Sequence, residues 1–158
     1  MSDPASLSSL NALLGHAERS RDLALAAEAA ARTAHGAARA KAEELVDYRQ
    51  SYERRWNAAF TQDGAIELVR CYQGFVERLS QAIDHQQRAV HAAESRLVGA
   101  TAQLRELEVR AAAIQKLIDR RTGELLLAAD RLEQRQTDEH AARVAWNRQA
   151  ALSHPTLG

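Results

Sequence analysis

The chain has 158 residues, 27% of them charged, with Lys plus Arg and Asp plus Glu balanced at 21 each. Neither half is strongly basic, which argues against a nucleic-acid binder, because such proteins show a basic stripe or patch. Only 4% of the residues are aromatic, and the two prolines, Pro4 and Pro155, bracket the chain without interrupting it. A composition rich in Ala, Leu, Arg, Glu and Gln predicts long helices rather than a large globular core.

Asp3 is placed to cap a first helix, with Pro4 preset for its first turn. A seven-residue repeat then begins. Its first position reads Leu10, Ala17, Ala24, Ala31, Ala38, Leu45, Tyr52 and Ala59, all apolar. Three residues further on, the companion row reads Leu13, Ser20, Ala27, Ala34, Lys41, Tyr48 and Arg55, which is mixed. Between Ala24 and Ala42, eleven of nineteen residues are Ala. Ala favours helix strongly but buries only a methyl group, so this seam permits close helix approach at little burial.

Thr61-Gln62-Asp63-Gly64 is the predicted break, with Gly64 able to adopt a left-handed conformation. A turn this short between long helices makes them antiparallel neighbours. The expected architecture is all-α: a long antiparallel two-helix coiled-coil hairpin with an overhanging C-terminal helix. Its bounds are helix 4–60, turn 61–64, helix 65–152 and a disordered tail 153–158, forming a single domain.

The second repeat is the stronger. Val69, Val76, Ile83, Val90, Leu97, Leu104, Ala111, Ile118, Leu125 and Leu132 are all apolar. The row three residues on reads Tyr72, Leu79, Gln86, Ala93, Ala100, Leu107, Ile114, Arg121 and Ala128, where only Gln86 and Arg121 are polar. A sustained heptad implies a left-handed supercoil with a partner helix. With 1.5 Å per residue, the first helix spans about 85 Å and the second about 130 Å. The start of the first helix then lies near Ile118, and everything after about Arg120 lacks an intramolecular partner. Leu125, Leu126, Leu127, Leu132, Val144 and Trp146 fall there. An apolar stripe without a partner marks a binding surface.

Catalytic and metal-binding patterns are absent from the sequence. No Gly-rich phosphate loop, HExxH, CxxC or GxSxG occurs, and the six His are scattered without i, i+4 pairing. Cys71 is the only cysteine, so no intramolecular disulfide can form. Carboxylates such as Glu43 and Glu44 read as solvated helix faces. An extended hairpin is expected to offer no concave pocket. The expectation is therefore a non-enzyme with no cofactor and no metal. No secretory signal or membrane-spanning run is seen, which predicts a soluble cytoplasmic protein.

The segments either side of the break carry a resemblance. Before it stands Leu45-Val46-Asp47-Tyr48-Arg49-Gln50-Ser51-Tyr52, and after it Tyr72-Gln73-Gly74-Phe75-Val76-Glu77-Arg78-Leu79-Ser80-Gln81-Ala82-Ile83. The late segment Asp130 to Glu139 and the hairpin itself add to it. Together they resemble the FliJ family of flagellar type III export. The resemblance implies a gamma-like stalk inside the ring of the export ATPase FliI, contacting the membrane export gate FlhA at its tip. It also implies escort of export chaperones such as FlgN and FliT. The gate strip carries onto Leu45, Tyr48, Tyr52, Phe75, Leu79 and Ala82. Lys41 and Gln86 depart from the family pattern. The heptad places Leu45, Tyr52 and Leu79 in the seam, whereas the resemblance places them at a partner, and both readings stand at this point. ATPase docking falls to the overhang, through Leu125, Leu132 and Trp146. In this reading the protein is a monomer, peripheral to the inner membrane only through partners. The alternatives are an injectisome stalk and a self-assembling structural coiled coil.

Overall fold

The computed structural model of the protein describes residues 4–60 and 66–153. All of these are helical, in two elements: α1, Pro4–Phe60, with 57 residues, and α2, Ile66–Ser153, with 88. Apart from Pro4, the first residue of α1, neither helix contains a proline, and no cis peptide or positive φ disturbs them. Glu67 sits in the first turn of α2, where the helix dipole favours negative charge. Ser153, expected in the tail, is the last helical residue, and its hydroxyl donates to the Ala150 carbonyl at 3.1 Å. The Asp3 cap, the turn Thr61–Gly64, the start at Ala65 and the tail after Ser153 lie outside the described residues.

The two helices pack against each other as an all-α antiparallel pair. Contacts cluster into two compact units. The first pairs residues 4–17 of α1 with residues 110–153 of α2. Its core is Ala17, Ala111, Ile114 and Ile118, with Leu7, Leu10 and Leu14 packed on it. Arg121 Nη1 donates to Ser6 Oγ at 3.1 Å, beside that core.

The second unit pairs residues 18–60 with residues 66–109. Here Ala38 lies opposite Gln86, Tyr48 opposite Phe75, and Trp56 opposite Tyr72. The α1 number falls as the α2 number rises, so the pairing is antiparallel. Ala24, Leu79, Ile83 and Ala93 are its buried apolar residues. Gln86 Nε2 donates to the Ala38 carbonyl at 3.0 Å. Such a bond needs the backbones close together, and an Ala at position 38 keeps them close. Among the described residues, the two polar members of the α2 heptad, Gln86 and Arg121, both hydrogen-bond across to α1.

The heptad of α2 stands as expected: both rows are buried or half-buried as far as Arg121. The register of α1 requires a correction. Its apolar row is buried or half-buried from Leu10 to Tyr52, but Leu13, Ala27, Ala34, Lys41, Tyr48 and Arg55 of the expected companion row are exposed. The companion row is instead four residues on, at Leu14, Arg21, Glu28, His35, Ala42, Arg49 and Trp56, all half-buried. The ends decide it. Leu14 packs on the Ala17–Ile118 core, and the Trp56 ring meets Tyr72 at a tilt, with centroids 5.3 Å apart. Two of its charged members hold partners: Arg21 pairs with Asp22, and Glu28, with its side chain 13% exposed, accepts from the Arg32 guanidinium one turn on.

Candidate functional site

Two surfaces stand out, one in each unit. The first is an aromatic cluster. Tyr48, Tyr52, Trp56 and Phe60 step along α1 at four-residue intervals and meet Tyr72 and Phe75 of α2. These six are all of the chain's aromatic residues but Trp146. Tyr52 is the centre, with ring centroids 4.2 Å from Phe75, 5.8 Å from Trp56, 5.9 Å from Tyr72 and 6.3 Å from Tyr48. Tilted and edge-to-face pairs at these separations are favourable, so the ladder stiffens this end of the unit.

The structure separates the candidate gate residues by exposure. Tyr48 is 49% exposed, and it packs edge-to-face with Phe75, ring centroids 6.3 Å apart. Ala82 is exposed, while Leu45, Tyr52 and Phe75 are half-buried. Leu79 is 8% exposed and belongs to the seam, so it offers a partner almost no surface. Tyr48 is the aromatic member with the most surface to give. Trp56 and Phe60 were absent from the expected set, yet they complete the ladder. Their signal was present in the i, i+4, i+8, i+12 aromatic spacing from Tyr48.

The second surface is the overhang of α2. Among the described residues the last cross-helix hydrogen bond is at Arg121, and α2 continues to Ser153, about 48 Å further at 1.5 Å per residue. Leu125 is half-buried, and every residue from Leu126 to Ser153 is exposed. Leu126, Leu127, Leu132, Val144, Trp146 and Leu152 are between 45% and 82% exposed. Trp146, with Gln149, Ala150 and Ser153, borders a notch of about 340 Å³. Of the three residues expected to dock here, Leu132 and Trp146 are exposed, and Leu125 is half-buried at the base of the segment.

The expectation of no concavity needs revision, since a groove of about 660 Å³ runs along the second unit. It is lined by Arg32, Leu97, Val98, Thr101, Ala102, Arg105, Glu106 and Val109. It contains no His or Cys and none of the residues of either surface above. Among the described residues, no group of three or more His, Cys, Asp or Glu is placed to hold a metal ion. Cys71 is exposed. No described helix is long and apolar enough to cross a membrane.

Comparison with known proteins shows the family. The chain is 32% identical over 101 residues to the flagellar FliJ protein of Salmonella typhi, covering 64% of this chain and 69% of that one. It is 30% identical over 101 residues, with the same coverage, to the flagellar FliJ protein of Escherichia coli. No solved structure matches it. The family model for flagellar FliJ protein matches residues 6–150, nearly the whole chain, and the chain therefore belongs to the flagellar FliJ family.

Proposed function

We propose that this protein is a flagellar export component that couples the export ATPase to the membrane export gate and has no catalysis of its own. Its family supports a role in flagellar export and favours the flagellar system over an injectisome. The observation that carries the finer reading is the overhang: a helical segment whose large apolar side chains are exposed, with no covering partner among the described residues.

In this reading the overhang enters the ring of the ATPase FliI through Leu125, Leu132 and Trp146. The aromatic end meets the gate protein FlhA, with Tyr48 as the principal anchor, Phe75, Tyr52 and Leu45 behind it, and Ala82 beside it. Leu79 contributes by holding the seam beneath them. Export chaperones are carried as further partners. The protein reaches the cytoplasmic face of the inner membrane through these partners and inserts nothing itself.

Separate surfaces for separate partners are what a coupling protein needs, because both can then be occupied together. The test is a pull-down with purified FliI and the cytoplasmic part of FlhA. Recovery of each alone, and of both in one complex, supports the reading. Mutual exclusion, or recovery of neither, overturns it.

A further inference from the structure

Gly123 stands two residues past Arg121, where α2 leaves α1. A Cβ built at Gly123 would meet nothing within 4 Å. Packing therefore does not require glycine here, although glycine is among the worst helix formers. Its neighbour Thr122 is β-branched and exposed, and also disfavours helix. Past Leu125 the described helix has no tertiary support, since every residue from Leu126 to Ser153 is exposed. Local support is sparse: Gln134 donates to Asp138 and Thr137 to the Glu133 carbonyl, and no ion pair forms in this segment among the described residues. Most helical stability in proteins comes from tertiary packing, which this segment lacks.

We propose that Gly123 is an unfastening point: the helix C-terminal to it melts and reforms independently of the paired segment, and is fully helical only when its apolar face is covered. The weak residues sit at the junction itself, so fraying that begins at the C-terminus stops there. The Ala111–Ile118 core on the other side is buried and held by Leu7, Leu10 and Leu14. The inference concerns the free protein and holds whatever partner covers the overhang.

Hydrogen exchange on the full-length chain tests it, using wild type, Gly123→Ala and Gly99→Ala. Gly99 is the control, since it also has open space at its Cβ but lies in the paired region. In wild type, amides of residues 126–153 should exchange ~100-fold or more faster than those of 111–118. Gly123→Ala should slow exchange in residues 122–130 about five-fold, equivalent to ~1 kcal/mol of helix propensity. Gly99→Ala should leave that segment unchanged. Protection of the overhang equal to that of 111–118 overturns the proposal. So does an overhang that responds equally to both substitutions, or to neither.

Discussion

Replacing Tyr52 by Ala should destabilise the aromatic end more than any other single aromatic truncation there. Tyr52 makes four of the ring contacts, to Tyr48, Trp56, Tyr72 and Phe75. Favourable aromatic pairs contribute about 0.5–1.5 kcal/mol each beyond area burial, and the low end suits a half-buried ring, giving about 2 kcal/mol for four. Half the transfer energy of a buried large side chain adds about 1 kcal/mol. The expected loss is therefore about 3 kcal/mol. Tyr48, 49% exposed and with two ring partners, should lose only about 1 kcal/mol on the same change. The assay is urea unfolding followed by Trp fluorescence in a Trp146→Phe background, so that Trp56 within the cluster is the reporter. Tyr52→Ala should lower the midpoint well below that of Tyr48→Ala. If Tyr48→Ala costs as much or more, the ladder is not centred on Tyr52 and the description of this end fails.

Tyr48→Ala should weaken binding to the gate protein by about 2 kcal/mol, as exposed aromatic anchors do, with far-ultraviolet circular dichroism unchanged; isothermal calorimetry reads the first and wild-type affinity refutes it. Gln86→Leu removes the bond to the Ala38 carbonyl, which keeps its own helical donor. Its effect on thermal stability should therefore stay within about 1 kcal/mol of zero. Ala24→Leu forces bulk into a seam position that is 9% exposed, and should cost about 1–3 kcal/mol by overpacking; an unchanged melting temperature would show that the seam there is loose.

Much of this architecture was legible because ten consecutive apolar residues at seven-residue spacing leave only one face of α2 to bury. The antiparallel partner followed from the short break at 61–64, and the overhang from the unequal lengths. The second row of α1 was not legible. In its middle, Ala occurs on every side of the helix, so the contrast between core and solvent that a heptad reading needs is missing. The rows three and four residues after Ala24 both carry polar side chains, and the choice rests on Leu14 and Trp56 at the ends. Trp56 was missed because the tip set came from the resemblance alone, while the four-residue aromatic spacing from Tyr48 already reached it. For Leu79 the pattern and the family resemblance pulled in opposite directions, and its burial in the seam follows from the α2 heptad. Tyr48 is exposed because it belongs to the row that is not used.

The central claim is that two separate surfaces serve two partners, and the most direct test acts on one surface while reading both. Leu125→Glu with Leu132→Glu places two charges on the overhang, where each Leu would contribute about 1.5–3 kcal/mol when buried in a partner. ATPase stimulation by the double variant should be measured beside its binding to the gate protein. The account predicts loss of stimulation and ATPase binding with gate binding intact. Stimulation at the wild-type level by the folded double variant, or equal loss of both partners, would contradict it.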